Sequence, residues 1–358
     1  MKKIVIAAGG TGGHFFPAIA VGEELKKRGM NVSLITDLRC RKYLTDDMKL
    51  TAYVVDLYIS KQNIFKIIKS GLLLISATIK AFKLLRKIKP DLIIGFGGYP
   101  SFSPMAAAVL LGIPIVIHEQ NSFIGKSNRF FAKFAKKIAL SYKKTTNIDN
   151  KFLLKVIYTG DIIRNNIKNL KTKSKFDNDQ FRMFVFGGSQ SAQIFSMLIP
   201  ETIKLLKERH PEISIKITQQ ALKSDQEALA KIYNVLDIDY EISEFFYQID
   251  KIYANSDLVI ARAGASTIAE LTYIGLPAIF IPYPFASENH QLHNAQALEA
   301  AGASWYFSQS HATPQILADK IIELVMDRKK LQIASKNLLT RRTDGTKILA
   351  DTVEKIIN

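Results

Sequence analysis

Residues 257–298 read DLVIARAGASTIAELTYIGLPAIFIPYPFASENHQLHNAQAL, and the architecture follows from their pattern. Leu258 to Ala261 is a short apolar run of the kind that forms a buried strand, stopping at Arg262-Ala263-Gly264. A helix then starts near Ser266 or Thr267, either of which suits an N-cap, with Glu270 three or four residues in. Gly275-Leu276-Pro277 ends it, a second strand runs from Ala278 to Ile281, and a polar loop leads to another helix from about His290. Strand, helix and strand at this spacing form a unit of a parallel sheet. Small residues at the first strand's end let a ligand approach the backbone, and the helix start offers unpaired N–H groups and a positive dipole end, suited to phosphate. Glu270, one turn in, is placed to accept from ribose hydroxyls, and the Gln291 amide to reach a sugar. The segment reads as a nucleotide-sugar site or, equally, as an ordinary βαβ unit with Glu270 as a solvated capping residue.

The same pattern recurs towards the N-terminus. Lys3 to Ala8 is a strand, Gly9-Gly10-Thr11-Gly12-Gly13-His14 a glycine turn, Pro17 to Arg28 a helix and Val32 to Thr36 the next strand. A dinucleotide fold competes here, with Gly10, Gly12 and Asp37 as its cofactor residues, but Phe15 stands where its third glycine would be. His14, in the turn, is either a base for a bound hydroxyl or a helix-start residue bonded to backbone. Asp91 to Gly95 ends in a second glycine loop, Phe96-Gly97-Gly98-Tyr99, and Ile115 to His118 ends in Glu119-Gln120-Asn121, where α/β sheets place ligand groups. Lys126 to Lys144 reads as basic and mostly helical, Val156 to Tyr158 as a strand, and 168–175 as a polar linker. Phe181 to Phe186 restarts the pattern with a third glycine turn, Gly187-Gly188-Ser189-Gln190, and the tail helix from Gly345 has no obvious place in the second sheet.

A length of 358 residues suits two domains, and 47% hydrophobic residues is ordinary for a globular chain. The single cysteine excludes an internal disulfide and suits a reducing compartment. No uninterrupted apolar run approaches the roughly 20 residues that span a bilayer. Charge is uneven: residues 1–160 carry 26 Lys and Arg against 9 Asp and Glu, whereas 161–358 carry 23 of each. Nucleic acid or an anionic membrane surface would account for a basic half. The aromatic residues do not alternate with basic ones as a stacking platform requires, and no nucleic-acid-binding motif is present, so nucleic acid is not expected as a partner. Ile64 to Ile88 reads as helical with a break at Gly71. Its first part mixes Ile64, Phe65, Ile68, Leu72 and Leu73 with Lys61, Lys66, Lys69, Lys80 and Lys83, either a membrane-interface surface or a buried helix with lysines reaching outward.

Taken together, GGTGGHFFPAIAV at 9–21, GFGGYPSFSP at 95–104, GIPIVIHEQNSFIGKSNR at 112–129, GDIIR at 160–164, GGSQSA at 187–192 and RAGASTIAELTYIGLPAIFIPYP with the downstream NHQLHNA resemble the MurG family. The likeness spans nearly the whole chain in order. It implies an α/β protein of GT-B fold, two Rossmann-like domains whose parallel sheets face a central cleft. The expected domains are 1–163 with the C-terminal helix 343–358, binding acceptor and membrane, and 164–342, binding the donor UDP-N-acetylglucosamine. By matched position, Arg164, Ser189, Phe246, Ala265, Ser266, Thr267, Ile268, Ala269 and Glu270 hold uridine, ribose and diphosphate, with Gln291 on the sugar. Thr11, Gly12, Gly13 and Asn121 contact the donor sugar from the first domain, and Gly10, Gly97, Gly98 and Tyr99 cradle the acceptor's diphosphate. The acceptor is lipid I, whose 4-hydroxyl attacks with His14 as base. No clustered carboxylates resembling a metal-binding DxD sequence lie near these site residues, so neither metal nor cofactor is expected. Ile64, Phe65, Ile68, Leu72 and Leu73 would meet an anionic membrane on its cytoplasmic face. Asp161-Ile162 stands where the family usually has Asn-Pro, Ser191 replaces a common glycine, and Phe102-Ser103 alters the second glycine loop.

Overall fold

The structure is a computed structural model that describes residues 1–44, 50–55, 64–171, 176–187, 193–286 and 289–358, with backbone alone at 42 and 64–70. The chain divides into two compact units, Met1–Arg164 with Thr343–Asn358, and Asn165–Arg342. In order, the first contains β1 (Lys3–Ala7), α1 (Gly12–Lys27), β2 (Asn31–Thr36), β3 (Thr51–Val54), α2 (Ile64–Ile88), β4 (Leu92–Gly95), α3 (Phe102–Leu110), β5 (Ile115–Glu119), α4 (Lys126–Phe131), β6 (Lys137–Leu140) and β7 (Val156–Tyr158). The second contains α5 (Asn165–Lys168), β8 (Phe181–Phe186), α6 (Gln193–Arg209), β9 (Ile215–Gln220), α7 (Lys223–Val235), β10 (Asp239–Ser243), α8 (Ile249–Asn255), β11 (Leu258–Ala261), α9 (Ala265–Ile274), β12 (Ala278–Phe280), α10 (His290–Glu299), β13 (Trp305–Tyr306), α11 (Pro314–Met326) and α12 (Arg328–Leu339). Helix α13 (Thr346–Ile357) then returns to the first unit and packs on α1. Arg28, at the end of α1, ties the two helices, donating to Asp351 at 2.6 Å and Glu354 at 2.8 Å.

Each unit is built on one sheet in which every pairing is parallel, ordered β3-β2-β1-β4-β5-β6-β7 in the first and β10-β9-β8-β11-β12-β13 in the second. Both orders reverse direction once, between β1 and β4 and between β8 and β11. The two chain segments leaving a reversal diverge, opening a crevice at the strands' C-terminal ends where such sheets bind ligands.

Strand cores are buried on both faces, as parallel sheets require. On β1, Ile4 and Ile6 pack with Phe15, Val21 and Leu25 of α1 and Leu349 and Val353 of α13. Val5 and Ala7 face the other way, towards Ala77, Ala81 and Leu85 of α2. In the second unit Phe181, Met183 and Val185 of β8 pack against α6, α7 and α11, while Phe184 and Phe186 stack on each other on the opposite face.

Three sequence expectations need correction, and one open alternative is decided for the described residues. Helix α1 begins at Gly12, five residues before the expected Pro17, so His14 lies in its first turn rather than in a free loop; Pro17 sits inside the helix. Lys126 to Lys144 is helical only to Phe131, and residues 137–140 form a strand inserted between β5 and β7. Its short apolar run Ile138-Ala139-Leu140 is buried, which the surrounding lysines disguised. Helix α2 is continuous through Gly71, whose missing side chain leaves open space. Nor is α2 buried all round. Leu72, Ile75 and Ile79 are 64%, 59% and 51% exposed, with Leu73 also exposed, a stripe flanked by the exposed Lys80 and Lys83. The expected membrane residues Ile64, Phe65 and Ile68 have side chains outside the described residues, as do Lys61, Lys66 and Lys69. Among the described residues no helix is long and apolar enough to cross a membrane.

Candidate active site

The first unit's reversal carries two glycine loops. After β1, Gly10 adopts φ +84°, and its N–H donates to Asp37 Oδ1 at 3.0 Å. Asp37 is buried, and its other oxygen accepts from Arg39 Nε at 2.6 Å. A side chain on Gly9 would stand 2.9 Å from Asp37 Oδ1 and 3.0 Å from Pro100. The carboxylate that a dinucleotide fold would turn to a ribose is therefore turned inward, holding the loop. Thr11 caps α1 in extended conformation without a side-chain bond, so Gly12 and Gly13 supply the first backbone amides of a helix whose N-terminal donors have no internal acceptor.

His14 is the third residue of α1. Its Nδ1 lies 2.8 Å from the Phe96 carbonyl oxygen and 2.6 Å from the side-chain amide of Gln120. Gly98 closes in from the loop after β4: a side chain there would stand 3.2 Å from His14 Nε2, and its φ is +71°. Gly97, at φ +76°, leaves room for Asn128, whose Nδ2 would be 2.8 Å from an added Cβ. Tyr99 follows, half-buried, its hydroxyl pKa raised by burial despite the nearby Arg39. The buried Glu119 organises the third loop. Its Oε1 accepts from the Asn121 backbone N–H at 3.0 Å and Nδ2 at 2.8 Å, its Oε2 from Gly125 N–H and Asn128 Nδ2, both at 2.9 Å. Asn121 is thereby fixed in place. Arg164 ends the unit with its guanidinium 4.2 Å above the ring of Phe16, on α1.

In the second unit, helix α9 starts one or two residues earlier than expected. Its N-cap is Gly264, and Ser266 and Thr267 sit inside the first turn with no capping bond. A glycine at that position keeps side-chain atoms away from the amide cluster: a Cβ added to it would meet nothing closer than Thr267 Oγ1 at 3.8 Å. Ala265, Ile268 and Ala269 are buried. Glu270 is not a solvated cap. It is 4% exposed and accepts from the Tyr253 hydroxyl at 3.4 Å. Phe246 packs edge-on against Phe184 at 5.6 Å, beside the stacked Phe184–Phe186 pair. The Gln291 Oε1 accepts from Tyr283 N–H at 2.9 Å. Ser189, in the loop after β8, lies outside the described residues.

Two supporting residues were missed from sequence. Arg262 is buried; its guanidinium donates to the Ile281 and Pro282 carbonyls at 2.9 and 3.1 Å and to Gln309 at 2.8 Å, tying the end of β11 to the segment after β12, and burial lowers its pKa to about 10. Asn294, fully buried on α10, donates to the Ala263 carbonyl at 3.3 Å. An arginine directly after a buried strand and an asparagine amid a helix's apolar positions were the available signals.

Two parallel sheets, each with an amide-lined helix start at its reversal, define the class: residues 4–140 and 182–349 match the N-terminal and C-terminal domains of glycosyltransferase family 28. The chain is 52% identical over 358 residues, all of both chains, to the UDP-N-acetylglucosamine–N-acetylmuramyl-(pentapeptide) pyrophosphoryl-undecaprenol N-acetylglucosamine transferase of Rickettsia canadensis (strain McKiel), and 52% identical over 360 residues, again all of both chains, to that of Rickettsia bellii (strain RML369-C). The crystal structure of Acinetobacter baumannii MurG is similar at TM-score 0.76 and 28% identity, covering 99% of this chain and 100% of that one. A UDP-GlcNAc 2-epimerase from Neisseria meningitidis, 16% identical with TM-score 0.67 over 99% of this chain and 100% of its own, shares the fold. The chain belongs to the MurG family of glycosyltransferases.

Proposed function

We propose that this protein moves N-acetylglucosamine from UDP-N-acetylglucosamine to the 4-hydroxyl of the N-acetylmuramyl sugar of lipid I, with inversion, giving the lipid II used in peptidoglycan synthesis. The reading is supported by the activity for which its relatives are named, and on the molecule by one observation above others. At the first sheet's reversal a histidine stands on a helix's first turn, its Nδ1 bonded to a backbone carbonyl and its Nε2 beside the Gly97-Gly98 loop.

In this reading Nε2 of His14 takes the proton from the 4-hydroxyl as that oxygen bonds to the donor's anomeric carbon. The bond from that carbon to the β-phosphate oxygen breaks, and UDP leaves with the added negative charge. Backbone amides at the start of α9 and the Arg164 guanidinium stabilise that charge. Phe246 and Ser189 take part in holding uridine, residues 265–270 hold ribose and diphosphate through Glu270 and the helix amides, and Gln291, Asn121, Thr11, Gly12 and Gly13 hold the sugar. Gly10, Gly97, Gly98 and Tyr99 hold the acceptor's diphosphate. The first unit is the acceptor domain and the second the donor domain.

The exposed stripe Leu72, Leu73, Ile75 and Ile79, with Lys80 and Lys83 beside it, rests on the anionic cytoplasmic face of the cell membrane, where lipid I is embedded. Each basic residue near such a surface contributes on the order of 1 kcal/mol. Vesicle sedimentation tests this: changing Leu72, Ile75 and Ile79 together to Ser should release the protein from anionic vesicles, and undiminished binding refutes the surface. The activity is tested by transfer of labelled N-acetylglucosamine to a short-chain lipid I analogue. Product should form with the native protein, and His14→Ala should abolish it while donor binding persists.

A further inference from the structure

The bonds around His14 fix more than its place. A carbonyl oxygen only accepts, so with Phe96 O at 2.8 Å the proton of the neutral ring is on Nδ1. A protonated Nδ1 cannot accept from an NH2 group, so the part of the Gln120 amide 2.6 Å away from it is the oxygen. The opposite orientation strands two buried atoms, Gln120 Oε1 and His118 Nδ1, neither with a partner among the described residues. Gln120 is also a hydrogen-bond neighbour of His118. With the oxygen towards His14, the amide nitrogen is the group left for the His118 side, and His118 Nε2–H points to Ser141 Oγ at 3.4 Å. These proton positions are mutually compatible across the four side chains, and the Phe96 carbonyl at His14 Nδ1 selects them.

This chain of bonds matters because of where His14 sits. The third residue of α1 lies at the positive end of the helix dipole, which opposes an imidazolium. Two carboxylates of the described loops are committed elsewhere: Glu119 to Asn121, Gly125 and Asn128, and Asp37 to Gly10 and Arg39. His118 is fully buried beside Phe96, its pKa lowered to about 3 by burial first and by the proximity of His14 second, so it stays an uncharged acceptor. The Phe96 carbonyl and the Gln120 amide, both within hydrogen-bond distance of Nδ1, are neutral.

We propose that Gln120, its amide oriented by the buried ring of His118, is a positioning residue whose oxygen joins the Phe96 carbonyl in holding His14 as the Nδ1–H tautomer and steadies the imidazolium formed when Nε2 takes the acceptor's proton. The inference rests on His14 being the base. A neutral acceptor suits this role because it supports the cation in passing without raising the ring's basicity so far that the proton arrives before the substrate.

Nitrogen-15 spectra of histidine-labelled protein read the tautomer, and the pH profile of kcat reads the basicity. The native His14 ring should be Nδ1–H. Gln120→Glu should move the ascending limb of the profile up by about one pH unit or more, because a carboxylate favours the charged ring. Gln120→Leu should move it down and lower kcat about tenfold with KM for the donor unchanged. His118→Asn, which keeps an acceptor where Nδ1 stood, should recover most of the kcat lost in His118→Leu. A native ring protonated on Nε2, or a limb unmoved in both Gln120 variants, overturns the proposal. Where Gln120→Leu does not fold, as judged by Tm, the similarly sized Gln120→Glu carries the test. Near-native kcat in His14→Ala defeats the base reading itself, whereas an inactive His14→Ala with an Nε2–H native ring defeats only the role of Gln120.

Discussion

The turn after β1 and the turn after β11 both leave a strand bordering the point where strand order reverses, β1 on the near side of the reversal in its sheet and β11 on the far side in the other. They are held by different means. The first is crowded with ionisable and amide side chains bonded to one another: Asp37 under Gly10, Glu119 under Asn121 and Gly125, Gln120 and the Phe96 carbonyl at His14. The second presents a glycine N-cap, two small hydroxyl residues and one buried carboxylate, with Arg262 and Asn294 bracing the backbone from behind. In the proposed function the difference matches two kinds of chemical work, proton transfer by His14 at the first turn and the hold on the donor's diphosphate at the second. Moving a proton requires a side chain held in one tautomer and direction, whereas gripping a diphosphate requires open backbone amides and little else.

The comparison is tested hardest at His14. His14→Ala should lower kcat by about 10²- to 10⁴-fold while UDP affinity, measured by calorimetry, stays near native. Loss of UDP binding instead would mean that proton transfer and diphosphate binding are not divided this way. Next in size, Glu119→Ala leaves the donors of Asn121, Gly125 and Asn128 without their buried acceptor, and should cost on the order of 3–5 kcal/mol in chemical denaturation. On the donor side, Glu270→Ala should raise KM for UDP-N-acetylglucosamine by roughly 10- to 100-fold with a smaller change in kcat. An unchanged KM removes Glu270 from the ribose.

The two turns also differ in how much the sequence disclosed. Parallel strands announced themselves through continuous apolar runs, and the glycine turns through position, so the turns at the strand ends could be located from sequence, whereas the strand order that makes two of them reversals could not. What stayed hidden was whatever depends on long-range partners. Asp37 could be a ribose ligand or a loop anchor until Gly10 and Arg39 were seen bonded to it. The strand at residues 137–140 was masked by flanking lysines, because three apolar residues in a basic segment carry no period of their own. His118 and Gln120 were noted at the end of a strand, yet only the fold brings Gln120 to His14, across more than a hundred residues of chain. In the second unit Glu270 was legible as to place, but whether it was solvated stayed open, since Tyr253, which bonds to it, comes from another helix.

The polar character of the first turn has a pH signature that the second should lack. His118 titrates at 6.5 in an open chain and at about 3 when folded, so between those values the unfolded state binds the extra proton. Stability is complete above about pH 6.5 and falls as pH drops below it, by about 1.4 kcal/mol per pH unit for this group alone, until the folded pKa is reached. Replacing His118 by Asn removes the titration, so the difference in Tm between the native protein and the variant should shift in the variant's favour from pH 7 to pH 5. Parallel curves would mean that His118 is solvated and cannot orient Gln120.

The smallest effect discriminates most finely, because it asks whether a glycine just beyond a strand's end does different work in the two turns. Gly9→Ala pushes a methyl group to 2.9 Å from Asp37 Oδ1 and 3.0 Å from Pro100, so the loop must move; a loss of about 1–3 kcal/mol is expected without any ligand. Gly264→Ala meets nothing closer than 3.8 Å at an ordinary φ of −68°. The slight preference for glycine at an N-cap and the reduced freedom of the unfolded chain act in opposite directions there, leaving stability within about 0.5 kcal/mol. UDP affinity should nonetheless fall, because the added carbon stands where a phosphate would approach the amides of residues 265–267. A Gly264→Ala protein that melts and binds UDP like the native one would show that the start of α9 does not hold the diphosphate, and the division of labour between the turns would have to be redrawn.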